Sequence, residues 1–435
     1  MLIRLLSILF GAFLGALDTD LFQIDQNIFY KFLPFKPSHL VDFSKYGIEV
    51  LIFLVGLMYV RTFVKNGYLL ALASLTGLAY ISAVINIERT GGIPSAVFGN
   101  ELRQLWVCVL GTGVFVRFAD RPELKAGLNA FALVNAMKCM VLIANYFFGQ
   151  RVTVLGVQTM VWDFTFLFTQ IAVVLLTCSA LLTKETPKKS RLYYMLLCTL
   201  SVIVILGSFR RLAAVYTLIG TGLTFLIHGR QERKTIKYVG FGLGTLLAVS
   251  IAGAGIYICL FGQAETMTRL ESVLHWQEKS AYSTSNEMYA DDWRVARQLI
   301  LAHPILGIAF GKDYPANRVT EEERGETEQY IPLHVGLADY WVRMGIPFAL
   351  LHILMLGIVL RAAVVKPLRA PGPLCAGALA MSLILLTLPF APAFILDIKL
   401  SIMFTFCFAY AFRKATSDSV DSTGYSYAEG YSYAR

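Results

Sequence analysis

Ile331-Pro332-Leu333-His334-Val335-Gly336-Leu337-Ala338-Asp339-Tyr340-Trp341-Val342-Arg343-Met344-Gly345-Ile346-Pro347-Phe348 is where the one long polar interval of the chain turns back into apolar sequence. The interval opens near Phe261 and carries Arg269, Asp291-Asp292-Trp293-Arg294, the turn His303-Pro304-Ile305-Leu306-Gly307 and a charged tract from Asp313 to Glu328. Elsewhere one apolar run follows another. A charged loop closed by a histidine at the mouth of a hydrophobic segment describes a site built at a membrane surface. The remaining sequence must supply the scaffold and say which surface that is.

Composition agrees. The 435 residues are 56% hydrophobic and 15% charged, with a mean hydropathy of +0.61. Soluble proteins carry roughly 25% charged residues, so the chain reads as a polytopic membrane protein. The net charge of +9 does not point to nucleic acid, because the basic residues sit in short loops between apolar runs, where they set orientation. All seven cysteines, Cys108, Cys139, Cys178, Cys198, Cys259, Cys375 and Cys407, lie in apolar runs without metal-ligand spacing. That excludes a disulfide framework or a zinc site as the organising principle. Residues 1–17 resemble a signal peptide, but Ala16-Leu17-Asp18 is a poor cleavage site, and a retained first span is expected.

A span needs about 20 mostly apolar residues. Runs near 2–17, 46–64, 67–85, 103–119, 125–148, 164–183, 191–207, 212–228, 236–261, 340–363, 372–388 and 394–412 meet or approach that. About twelve transmembrane helices are therefore expected, since backbone in lipid must satisfy its own hydrogen bonds. The expected fold class is an all-α polytopic membrane protein with one large outer loop containing short helices. By domain, helices 1–9 occupy 1–261, the loop 262–339, helices 10–12 340–413, and a disordered cytoplasmic tail 414–435. That tail repeats Gly-Tyr-Ser-Tyr-Ala at 424–428 and 430–434.

Lys and Arg in the short loops give the orientation. The even-numbered loops hold Arg61 and Lys65, then Arg117, Arg121 and Lys125, then Lys184, Lys188, Lys189 and Arg191, then Arg230, Arg233, Lys234 and Lys237, then Arg361, Lys366 and Arg369. The odd loops are poorer, with Arg89 and Arg103, then Arg151, then Lys399. Even loops and both termini therefore face the cytoplasm and the long loop faces outward, which is the periplasm if the source is a Gram-negative bacterium. Arg210-Arg211, in a short outer turn, break the pattern, because arginines deep in a span cost roughly 2.5–3.5 kcal/mol each. They either snorkel to the interface or bind an anion there.

No Walker-type loop, dinucleotide glycine fingerprint or HExxH appears, nor a DxD in a cytoplasmic loop. The outer side instead collects arginine and histidine: Arg210, Arg211, Arg269 and Arg294, with Arg103 and Arg151 as further candidates. Arginine grips a diphosphate through forked, charge-assisted hydrogen bonds and stays protonated, so it can neutralise a diphosphate leaving group without a metal. His334 is the best general base or positioning group, placed between Pro332 and an apolar run. The other histidines have no comparable context. Asp291 to Leu301 reads as a helix with aspartates capping it ahead of Trp293 and with Val295, Leu299 and Ile300 on one face. His303-Pro304 ends it.

These residues resemble a known family. Trp293 through His303-Pro304-Ile-Leu-Gly307-Ile-Ala-Phe-Gly311 is similar to the "W…hPllGvGfG" motif of the O-antigen ligase and O-antigen polymerase superfamily. His334 followed by Gly345 resembles its "H-N-x9-G-x-x-G" motif, with nine residues between Val335 and Gly345. Gly207-Ser208-Phe209-Arg210-Arg211 resembles the family's "SRG" start of a span, and Arg269 falls where members carry an arginine early in the large loop. In three places the chain departs from the pattern: Val335 stands for the usual Asn, Phe348 for the last Gly, and Tyr289 where an Arg is expected.

The resemblance implies a metal-independent, inverting transfer from an undecaprenyl-diphosphate-linked glycan, without cofactor, at the periplasmic face of the inner membrane. In ligases the acceptor is a sugar of the lipid A core. In polymerases of O-antigen or exopolysaccharide it is another lipid-linked repeat unit. His334 takes the place of the family's histidine and Arg210 or Arg211 that of its span-start arginine. A transporter or flippase would show internal repeats and broken helices with mid-membrane charges, and no half-to-half similarity is visible.

Overall fold

The computed structural model describes residues 2–16, 47, 50–52, 54–58, 64, 66–90, 95–118, 122–148, 152–154, 157–161, 164–184, 186–208, 211–232, 240, 244, 283–308, 335–364, 372–387 and 398–420. The expected span at 236–261 lies outside these residues apart from 240 and 244, and the one at 46–64 is described in part. Helices account for nearly all of the described residues. They are α1 (Leu2–Ala16), α2 (Gly67–Thr90), α3 (Ser95–Phe118), α4 (Pro122–Phe147), α5 (Phe164–Leu182), α6 (Lys188–Gly207), α7 (Arg211–Gln231), α8 (Ser283–Ala302), α9 (Ala338–Met344), α10 (Ile346–Val364), α11 (Cys375–Thr387) and α12 (Ile398–Val420). The departure from an all-α layout is one antiparallel hairpin between α4 and α5, β1 (Val152–Val154) and β2 (Val157–Thr159), with Val152 opposite Thr159.

Among the described residues, five helical stretches are long and apolar enough to cross a membrane: Gly67–Ile85, Leu124–Phe147, Lys188–Gly207, Leu212–Gln231 and Ile346–Val364. Shorter apolar helices such as Phe166–Leu182, Cys375–Thr387 and Leu400–Arg413 pack among them. The protein is an integral membrane protein. α10 shows how sequence becomes position. Its 19 residues span about 28 Å at 1.5 Å each, close to the roughly 30 Å of a hydrocarbon core. Ile346, Leu350, Ile353, Leu360 and Val364 recur at helical spacing and are exposed, while Phe348, Leu351, Met355, Ile358, Val359 and Ala362 are buried. Both faces are apolar, so the exposed stripe is a surface for lipid and the buried one is core.

Lipid competes with helix–helix contact, so close packing relies on small residues. α1 lies along α4 with Gly11 against the Gly127 backbone, and an added Cβ at Gly15 would sit 3.0 Å from the Phe131 carbonyl oxygen. α1 is thus packed closely against α4. The centre is filled by α5, α10, α11 and α12, whose buried rings include Phe166, Phe168, Phe348, Phe404 and Phe408.

Three sequence boundaries shift. The span expected at 340–363 is two helices, because Gly345 adopts φ +64° and ψ −150° and ends α9 before α10 starts. The helix expected from Asp291 begins at Ser283, so Asp291 and Asp292 are interior residues and do not cap it. No glycine or proline lies between Ser283 and Ala302 to stop the helix earlier, and Asp292 is fully buried on its packed face. α12 continues to Val420, beyond the expected end of its span. The tyrosine-rich repeats lie outside the described residues.

Candidate functional site

Side-chain contacts sort the ends of the helices. At one end, Ser179 Oγ donates to Pro373 O at 2.8 Å, and Arg361 lies 3.4 Å from the Tyr68 hydroxyl. At the other, Met160 N donates to Gly207 O at 3.0 Å, His352 Nε2 meets Leu386 O at 2.7 Å, and Ser82 Oγ reaches the α9–α10 junction. This second end therefore gathers the close of α6 and start of α7, the turn after α8, and α9. Those are the places where the motif residues lie in sequence.

The tightest feature there is a crossing of two backbone turns. Pro304 cannot continue α8, and the chain folds over so that Gly307 N donates to His303 O at 3.0 Å. Gly307 sits at φ +70°, and Gly345 at φ +64° in the turn that ends α9. The two turns are tied by Ile308 N to Val342 O at 2.9 Å and by Ile346 N to Pro304 O at 2.9 Å. A Cβ on Gly307 would lie 2.6 Å from Val342 O and overlap the Arg343 carbonyl. One on Gly345 would lie 2.6 Å from the Ile305 carbonyl carbon and 2.8 Å from Gly307 N. Both glycines are thus demanded twice, by backbone conformation and by contact. The structure places Gly345 against Ile305–Gly307.

α9 leads from Val335 to this crossing. Val335 is buried with Ala296, Ile308 and Val342, against partly buried Trp293, Val295, Leu299 and Ile300. Gly336, at φ +60°, turns the chain into α9, where Ala338 N donates to Val335 O at 3.2 Å. Within α9, Arg343 Nε donates to Asp339 Oδ2 at 2.7 Å and Nη2 to Oδ1 at 3.3 Å, with both side chains buried. The carboxylate lies in the first turn and the guanidinium in the last, which also suits the helix dipole. Trp341 Nε1–H donates to His352 Nδ1 at 3.0 Å. With Nδ1 accepting, Nε2 carries the proton and donates to Leu386 O. His352 is therefore a neutral strut joining α9, α10 and α11. Tyr340 and Phe348 pack at a tilt with ring centroids 5.1 Å apart, and Phe348 is buried in the core.

Of the sequence candidates, Arg294 is exposed on α8, turned away from the buried face of Asp292 and Ala296. Arg211 is the first residue of α7. Arg210, Arg269 and His334 lie outside the described residues, as do Arg151 and Tyr289's side chain; Arg103 lies within α3. The residues flanking the arginine turn are well placed: Gly207 packs against Met160, which carries the β-hairpin onto the end of α6, and Phe168 and Tyr216 join α5 to α7 at 5.6 Å. Beneath them, Gln170 Oε1 accepts from Ser201 at 2.9 Å and from Cys139 at 3.3 Å, while its amide donates to Asn135 at 3.4 Å. This network ties α4, α5 and α6 together in an apolar setting. No group of three His, Cys, Asp or Glu able to hold a metal occurs among the described residues.

Sequence reasoning passed over Ser82, Asp339–Arg343 and the Trp341–His352 strut. A carboxylate and a guanidinium four residues apart in an apolar run carried a readable signal. Ser82 carried none, because its partners are distant in sequence.

Comparison with known proteins adds one finding. Residues 196–353 match the family described as O-antigen ligase. No curated protein and no solved structure matches the chain.

Proposed function

We propose that this membrane protein, in which residues 196–353 match the family described as O-antigen ligase, moves a glycan from an undecaprenyl-diphosphate carrier to an acceptor sugar of the lipid A core at the periplasmic face of the inner membrane. One observation supports the reading above all. The residues that resemble the family's motifs fall in three segments far apart in sequence, and the described parts of all three, up to Gly207, through Trp293–Ile308 and from Val335 to Gly345, lie at the same end of the bundle.

In the proposed reaction the acceptor hydroxyl attacks the anomeric carbon from the face opposite the diphosphate. The new C–O bond forms as the bond to the diphosphate breaks, so the configuration inverts. The acceptor proton passes to a nitrogen of His334, whose unperturbed pKa of about 6.5 suits that task. The departing electron pair collects on the diphosphate, where Arg210, Arg211 and Arg269 neutralise it through forked hydrogen bonds, with Arg294 at the edge of the site. This scheme assigns no step to a metal.

The test is purified protein with lipid-linked donor and acceptor. His334→Ala and His334→Gln should each lose roughly 10²–10⁴-fold in turnover while still binding donor. Near-normal turnover in both would remove His334 from the mechanism. Surface glycan of a deletion strain then separates the outcomes. Bare core with accumulated lipid-linked polymer marks a ligase. Single repeat units attached to core would mark a repeat-unit polymerase and overturn the acceptor assignment.

A further inference from the structure

We infer that Ser82, on α2 and outside the matched residues 196–353, is a positioning residue for the proposed transfer: its hydroxyl ties the turn after α8 to the end of α9 and so holds the frame next to His334. The inference rests on the transferase reading.

Ser82 is 2% exposed, and its Oγ lies 2.9 Å from Leu306 O and 3.1 Å from Met344 O. A hydroxyl has one proton, so it bifurcates or alternates between two carbonyls on the two crossing turns. Hydroxyls within helices ordinarily bond back to the preceding turn. In this bundle Thr76, Thr112, Thr217, Thr224, Ser382 and Thr405 all do so, each to the carbonyl four residues earlier. Ser82 instead reaches across to another part of the chain. Ala79 and Ala83 beside it are fully buried and small, which lets α9 come close to α2.

The bond matters because of what it restrains. Val335, next to His334, is fixed on one side by Ala296, Ile308 and Val342. α9 is seven residues long and braced by Asp339–Arg343, so it moves as a unit. Its far end is Met344, where Ser82 bonds. Released there, α9 can tilt against the α8 turn, and a tilt displaces Val335, the residue that follows His334 in sequence. A misplacement of about 1 Å can cost on the order of 10²-fold in rate.

The experiment compares Ser82→Ala, Ser82→Thr and Ser82→Cys in the full-length protein, by kinetics and by amide hydrogen exchange. Ser82→Ala is expected to lower kcat roughly ten- to a hundred-fold, with KM for donor and acceptor within about twofold of wild type. Amides of Ile308, Gly345 and Ile346 should exchange faster while those of α5 do not change. Ser82→Thr returns the hydroxyl and should recover most of the rate and the protection. Ser82→Cys, close in shape with a weak donor, should fall between. Wild-type kcat in Ser82→Ala overturns the inference, and so does a loss accompanied by faster exchange throughout the bundle. An inactive wild-type protein defeats the transferase reading itself, which is a different result.

Discussion

Gly345→Ala should be among the most damaging single-methyl additions in this protein, and the structure says by how much. Gly345 adopts φ +64° and ψ −150°, a conformation nearly confined to glycine. Holding another residue there costs about 1–3 kcal/mol. The new Cβ would also sit 2.6 Å from the Ile305 carbonyl carbon and 2.8 Å from Gly307 N. These are backbone atoms, so no side chain can swing aside, and forcing them apart costs a further 1–3 kcal/mol or so. The sum, about 2–6 kcal/mol, is a large share of a typical folding stability of about 5–15 kcal/mol. Gly307→Ala meets the same crossing from the other side and should cost a similar amount. The double variant should cost less than the sum, because one methyl already opens the crossing for the second. Gly357→Ala, in α10 with nothing within 4 Å of its added Cβ, is the control and should stabilise by up to about 1 kcal/mol through helix propensity. Equilibrium unfolding in mixed micelles, followed by tryptophan fluorescence, measures all four. If Gly345→Ala unfolds within about 0.5 kcal/mol of Gly357→Ala, the range of an ordinary surface change, the crossing is not what these glycines are for.

Arg210→Ala, Arg211→Ala and Arg269→Ala should cut transfer, with one of the adjacent pair mattering far more because neighbours on a helix point about 100° apart; lysine should not rescue the decisive position, and wild-type rates in all three would remove the diphosphate clamp. A cysteine at Ala316 should react with an impermeant thiol reagent in intact spheroplasts, whereas labelling only after the membrane is opened would reverse the proposed topology. Arg343→Met alone should destabilise by roughly 3–5 kcal/mol, since it removes the guanidinium that donates to the buried Asp339 carboxylate, and Asp339→Leu added to it should recover much of that loss. A double variant less stable than the single would show that the pair matters through groups other than each other.

Long apolar runs were legible because lipid imposes one demand on every residue in them, and the helices at 67–85, 191–207, 212–228 and 372–388 fall where hydropathy puts them. Boundaries set by local chemistry were harder. Asp291-Asp292 looks like a cap in sequence, yet the helix runs through it, because burial of Asp292 on the packed face outweighs its local preference for a helix end. The break at Gly345 was hidden inside a continuous apolar run, and only the φ +64° turn and its contact with Ile305 expose it. The site was legible as motifs and not as geometry. His303-Pro304 and Gly307 could be read as a turn, but their partner, forty residues on by the numbering of Gly345, and the Ser82 bond from α2 depend on tertiary contacts that no local pattern encodes.

Those contacts give the spacing between His334 and Gly345 a physical meaning. The residues from Gly336 to Met344 comprise one turn and the whole of α9. α9 has seven residues and is therefore a rod of about 10 Å. One end of the rod is fixed at the Gly307–Gly345 crossing, and the other begins beside Val335, in the apolar cluster with Ala296 and Ile308. The rod is braced internally by Arg343 and Asp339 and laterally by the Trp341–His352 bond. Its length therefore sets how far Val335 stands from the crossing, and its winding sets the direction in which the chain enters α9 at Gly336. One extra residue within α9 would advance that segment by about 1.5 Å and turn it by about 100°, which a general base required within hydrogen-bond reach of its proton does not tolerate. On this account the glycines, the buried ion pair and Ser82 do no chemistry. In the proposed mechanism, they fix the register in which His334 meets its substrate.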